Sequence, residues 1–134
     1  GMPKIENTGF VGNLSGNANA TLTFKLVAEK DCTVTLSAAV TGRRQGARKF
    51  TAGFVPTVNG VEVVSDAIVP QGEQSTEWTV SYRVTIGEIH LKAGENTLTF
   101  TVPESAANTT DASNFDYISI MSMFGVTCTS SWLS

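Results

Sequence analysis

The chain has 134 residues, which fits one domain able to bury roughly two-thirds of its unfolded surface without help from a metal or disulfide. Threonine, valine and serine dominate, and no segment repeats apolar residues at helical spacing over three turns, which excludes a helical fold and points to an all-β one. A net charge of −3 argues against nucleic acid as a general partner, and no apolar run approaches the roughly 18 residues of a membrane-spanning helix.

Gly1-Met2 reads as a cleavage remnant ahead of a start methionine, so any export signal would already have been removed. Residues 5–14, with Phe10 and Val11, read as a short strand, and Ser15-Gly16-Asn17-Ala18-Asn19 is turn chemistry. Residues 20–27 alternate with Leu22, Phe24 and Leu26 inward. After the charged turn at Ala28-Glu29-Lys30-Asp31, residues 32–40 alternate with Val34, Leu36, Ala38 and Val40 inward. Two such runs joined by a short polar link predict an antiparallel pair. Cys32 and Cys128 are the only cysteines; two thiols buried as small hydrophobes and a disulfide are both open, the latter needing Cα atoms within about 7 Å. Residues 50–58 read as a strand with Phe50, Ala52 and Phe54 on one face before Pro56 disturbs the ladder. Asn59-Gly60 is the strongest hairpin signal in the chain, because both residues tolerate positive φ, and residues 61–64 return from it.

Residues 78–86 alternate strictly, with Trp78, Val80, Tyr82, Val84 and Ile86 on one side, as a strand with one buried face does. A second run at 88–91 meets the link Lys92-Ala93-Gly94-Glu95-Asn96, and a third at 97–102 alternates again. A five-residue link containing glycine predicts a hairpin. The polar loop 103–113 then delivers the chain to Asn114-Phe115-Asp116-Tyr117-Ile118-Ser119-Ile120. Short strands at intervals of about eight to twelve residues, with no helix between them, predict one antiparallel two-sheet sandwich spanning residues 1–134.

The ordered set of a tryptophan, an alternating strand, LKAGENTLTF and NFDYISI resembles the carbohydrate-binding modules of families 6 and 35, which are galactose-binding-like β-sandwiches. TGFVGNL at 8–14, TVTLSAAVTG at 33–42 and VNG at 58–60 fall in the order that resemblance leads one to expect. The resemblance covers most of the chain, from about residue 8 to residue 120, and implies a jelly roll. It also implies a secreted or cell-surface location and tethering to a catalytic or surface domain.

Four residues are candidates for sugar contact. An indole at a loop–strand junction, Trp78, offers a flat face to the C–H face of a sugar ring; a tryptophan capping the core is the competing reading. Asn114 carries a carboxamide whose donors and acceptors suit paired hydroxyls, or else holds its own loop. The resemblance places the sugar-contacting asparagine at Asn114 and the stacking tryptophan at Trp78. The resembled modules also carry an aromatic after the strand that here ends Ala38-Ala39-Val40-Thr41-Gly42. This chain has Arg43, Arg44, Arg48 and Lys49 instead, four of its nine positive charges. A guanidinium grips a carboxylate at two points, so Arg43 and Arg44 point to acidic sugars; a solvated loop that blunts a sheet edge is the alternative.

Asp116 matches the aspartate that helps hold a structural calcium in the resembled modules. Calcium takes six to eight oxygens, and Glu6 is the only acidic residue before Glu29, so Asp116 stands for an incomplete site and no cofactor is required. Enzyme readings do badly: His90 is the only histidine, no nucleophile elbow is present, and the acidic residues sit singly in turns rather than paired across a cleft. The reading is a non-catalytic module that binds an oligo- or polysaccharide through loops at one end of a sandwich. A structural or protein-interaction sandwich without sugar binding is the alternative.

Overall fold

The computed structural model describes residues 20–41, 46–70, 81–106, 115–121 and 126–133, with the backbone alone at 41, 81, 115–117, 121 and 127–133. Among the described residues, ten strands run in chain order as β1 (Thr21–Ala28), β2 (Cys32–Thr41), β3 (Arg48–Lys49), β4 (Val55–Val58), β5 (Val61–Glu62), β6 (Ile68–Val69), β7 (Ser81–Leu91), β8 (Gly94–Thr101), β9 (Phe115–Met121) and β10 (Val126–Leu133). Every pairing is antiparallel. One sheet has the order β10-β1-β8-β4-β5 and faces a second, β7-β2-β9; β3 and β6 form a short ladder of their own. The chain changes sheet between β1 and β2 and at each step from β7 to β10, the winding of a jelly roll.

The alternating runs bury the faces that the sequence marks. Leu22, Phe24 and Leu26 of β1 and Leu98 and Phe100 of β8 meet Val34, Leu36, Ala38 and Val40 of β2, Ile86 and Ile89 of β7, and Ile118 and Ile120 of β9 in one core. Phe100 anchors an aromatic cluster, lying edge-on to Phe24 and to Phe50 with ring centroids 5.9 Å away in both cases. The expected strand over residues 50–58 is shorter. Phe50–Ala52 forms a 3-10 turn, closed by the Gly53 N–H donating to the Phe50 carbonyl at 3.1 Å and backed by the Phe54 N–H donating to the same carbonyl at 3.0 Å, and this brings both phenyl rings into the core. Only Val55–Val58 is strand. Pro56 stays in the ladder because its carbonyl accepts from Val63 N–H, so the nitrogen that lacks a hydrogen also faces the β5 side and β8 loses no bond.

Asn59-Gly60 closes the expected hairpin, with φ of 51° and 83° and the pairs Val58↔Val61 and Thr57↔Glu62. The other two expected hairpins are arches. β1 and β2 lie in opposite sheets, and so do β7 and β8, so neither polar link joins paired strands. Each link carries the chain across the sandwich, and the arches are tied together where Ala93 N–H donates to Asp31 Oδ1 at 2.8 Å. The runs at 78–86 and 88–91 are one strand from Ser81 onward. A bulge shifts the register from Ser37↔Thr85 to Leu36↔Gly87, and Gly87, at φ 144°, takes the conformation that restores burial parity for Ile89 and Leu91. The expected strand at 5–14 and the start of the run at 78–80 lie outside the described residues. Cys32 carries a free thiol, so it is not in a disulfide.

Candidate functional site

At one end of the β7-β2-β9 sheet three strand ends stand side by side. Thr41 closes β2 opposite Ser81, which opens β7, and Val40 lies opposite Phe115, which opens β9. A register shift between Ala39 and Val40 sets this last row apart from the regular ladder. Neighbouring strands in a sheet lie about 4.8 Å apart, so three connecting segments begin or end within a span of about 10 Å.

Those three segments carry the residues singled out from sequence. Arg43 and Arg44 follow Thr41 by two and three residues, Trp78 precedes Ser81 by three, and Asn114 directly precedes Phe115. Trp78, Asn114, Arg43 and Arg44 themselves lie outside the described residues. Of the same basic run, Arg48 and Lys49 form β3, paired with Val69 and Ile68, and Lys49 Nζ lies 3.8 Å from Asp66 Oδ1. The second half of the run is therefore a sheet ladder.

One row in from this end, the face of the sheet away from the core carries a polar group that sequence reasoning did not single out. Arg83 of β7 pairs with Ala39 of β2, and its Nη2 donates to Ser119 Oγ of β9 at 3.0 Å. Ser37 Oγ donates to Thr85 Oγ1 at 3.4 Å in the adjoining row. Ser37, Ala39 and Ser119 are buried although they point away from the core, while Arg83 is exposed. The only sequence signal for this arrangement is parity: residues 37, 39, 83, 85 and 119 occupy the off-core positions of three alternating strands.

Asp116 lies in β9, and its side chain is outside what the structure describes. Among the described residues no three of His, Cys, Asp and Glu come together as a metal site. His90 is an exposed residue of β7, hydrogen-bonded through Nδ1 to Thr33 Oγ1 at 2.8 Å as a cross-strand pair. No helix among the described residues is long and apolar enough to cross a membrane.

The sequence matches no family model and no curated protein. Its fold does match solved structures. A family 35 carbohydrate-binding module from an environmental isolate aligns with a TM-score of 0.65 at 22% identity, over 90% of this chain and 77% of that one. A second, Xyl-CBM35 in complex with a glucuronic acid containing disaccharide, aligns at 0.61 and 16% identity, over 92% and 95%. A Podospora anserina GH26-CBM35 β-(1,4)-mannanase aligns at 0.57 and 17% identity, over 90% of this chain and 25% of that one. At such identities the likeness is one of fold.

Proposed function

We propose that this chain is a non-catalytic carbohydrate-binding module of the family 35 type, whose site is the loop end of the β7-β2-β9 sheet. The observation that carries the reading is topological: the segments bearing Arg43 and Arg44, Trp78 and Asn114, scattered over some seventy residues of sequence, leave adjacent strand ends. Loops held at the end of a rigid sheet are where binding chemistry is usually carried. The solved module bound to a glucuronic acid disaccharide shares the fold and supports a sugar ligand.

The division of labour follows from the side chains. The Trp78 indole stacks on the C–H face of a sugar ring, excluding water from it, and the Asn114 carboxamide bonds neighbouring hydroxyls. Arg43 and Arg44 bind a uronic-acid carboxylate in two-point fashion, with Arg83 adding a cation at the same end of the sheet. The module is secreted or displayed at the cell surface and serves a catalytic or surface domain joined to it.

The test is calorimetric titration with a glucuronic-acid-containing oligosaccharide and its neutral counterpart. The acidic ligand should bind more tightly, and its advantage should shrink with salt, because exposed charge pairs are screened beyond a Debye length of about 8 Å at physiological ionic strength. Trp78→Ala should weaken both ligands; Arg43→Ala with Arg44→Ala should weaken only the acidic one. No binding of either ligand at millimolar concentration would leave a structural or protein-interaction sandwich as the reading.

A further inference from the structure

At the far end of β7 from these loops, a groove of about 490 Å³ opens between the β4–β5 hairpin and residues 88–92. Its apolar lining is Val58, Val61, Val63, Val64 and Ile89. Val64 is 90% exposed and Val61 71%, the two most exposed large hydrophobic residues described. Among the described residues no tryptophan, tyrosine or phenylalanine lines the groove, so it lacks the broad apolar ring on which a sugar stacks. Measured along β7, Glu88 is seven residues from Ser81, or roughly 20 Å, so occupation here would leave the loop end free.

The backbone at its wall fixes what can bind. Among the described residues β5 is the last strand of its sheet. Val61 pairs with Val58, and Val63 N–H donates to the Pro56 carbonyl, so residues 61 and 63 point their amides and carbonyls toward β4. By alternation Glu62 and Val64 point theirs away from it, and among the described residues nothing pairs with them. A row of outward N–H and C=O groups beside an apolar groove is matched by an extended polypeptide, which adds as a strand and sets alternate side chains into the groove.

Charge then narrows the occupant. Glu62 and Glu88 both line the groove, and among the described residues neither is in an ion pair. Lys92 supplies one opposing charge, so two carboxylates stand against one ammonium along the groove. A second copy of this chain pairing edge to edge would set one acidic edge against another, with Glu62 opposite or diagonal to its own counterpart, and like charges across a strand pair are destabilising. We infer that the β5 edge and its groove dock an extended polypeptide segment in which apolar residues alternate with lysine or arginine. The occupant is a segment of a separate protein, for which a free peptide stands in.

The test is an amide NMR titration of the full chain with a capped heptapeptide alternating lysine and valine. Saturable shifts are expected at Glu62, Val64 and residues 88–92, with slowed solvent exchange of the Glu62 and Val64 amides and a dissociation constant of about 0.1–1 mM, as for a short peptide. Glu62→Lys together with Glu88→Lys should weaken binding by about tenfold or more, by reversing the local charge. Full N-methylation of the peptide should abolish binding, because it removes every backbone donor. Four results would overturn the inference: no shifts at about 5 mM peptide, equal binding by a heptapeptide of alternating glutamate and valine, equal binding by one of alternating lysine and serine, or equal binding by the methylated peptide. The same shifts appearing on concentration alone, with dimerisation in sedimentation, would assign the edge to a second copy instead.

Discussion

Asn96 is 1% exposed, and its side chain is the most heavily bonded polar group in the described structure. Its Oδ1 accepts from Lys92 N–H at 2.9 Å and from Asn59 Nδ2 at 3.0 Å. Its Nδ2 donates to the carbonyls of Lys92 at 2.8 Å, Gly94 at 3.1 Å and Leu26 at 3.3 Å. With only two hydrogens on Nδ2, one is shared between acceptors. Asn59 passes the link on, its Oδ1 accepting from Thr97 N–H at 2.9 Å. One carboxamide thus joins the β7–β8 arch, the β4–β5 hairpin and β1. Asn96→Ala strands these groups. The exposed Lys92 and Gly94 can turn toward water, whereas the Leu26 carbonyl, beside a fully buried side chain, cannot do so readily. The Leu26 carbonyl left unpaired at about 1–3 kcal/mol, together with the other lost hydrogen bonds at about 0.5–1.5 kcal/mol each, gives an expected loss of about 3 kcal/mol. That is a large share of the 5–15 kcal/mol typical of a domain. In urea, with a slope of about 1.5–2 kcal/mol/M, the unfolding midpoint should fall by about 1.5–2 M with the slope unchanged. Asn96→Asp keeps the shape but turns a carboxylate toward three carbonyls. Burial among acceptors raises the folded-state pKa of that carboxyl above its unfolded value, so the charge penalty is absent below the unfolded pKa. It grows as pH rises through the folded pKa; Asn96→Asp should therefore be more destabilised at pH 7 than in mild acid. Glu95→Ala, which removes an exposed ion pair with Lys25, is the control and should cost under about 1 kcal/mol. A midpoint for Asn96→Ala within experimental error of that control would refute the reasoning.

Three further outcomes are expected. Gly87→Ala should destabilise by about 1–3 kcal/mol, seen as a lower thermal midpoint, because φ of 144° strains any side chain even though nothing lies within 4 Å of the added Cβ. A reductant should leave the thermal midpoint unchanged, and a thiol reagent should label Cys32 in the folded chain, since its thiol is free and partly exposed. Calcium and a chelator should give nearly equal thermal midpoints; a large stabilisation by calcium would show that Asp116 has a full set of oxygen partners, and its size would convert to an affinity.

What the sequence by itself determined was local. Strict alternation marked which residues of β1, β2 and β8 face the core, and Asn59-Gly60 specified its turn, because the period of a strand and the tolerance of positive φ are properties of a few neighbouring residues. Only the tertiary structure decided which sheet each strand joins. The run of Leu22, Phe24 and Leu26 and that of Val34, Leu36 and Ala38 bury against the same interior from opposite sides, so alternation cannot tell an arch from a hairpin. Phe50 and Phe54 satisfied a strand pattern yet entered the core from a 3-10 turn, since the space beside Phe100 could be filled from either backbone. Asn96 sat within hairpin-like chemistry, and nothing nearby in sequence revealed that its partners include Leu26 and Asn59, 70 and 37 residues away. The candidate site divides in the same way. Residue type marked Trp78, Asn114, Arg43 and Arg44 individually, but long-range pairing of β2 with β7 and β9 brings their segments to one end of a sheet, because register is set by the packing of whole strands.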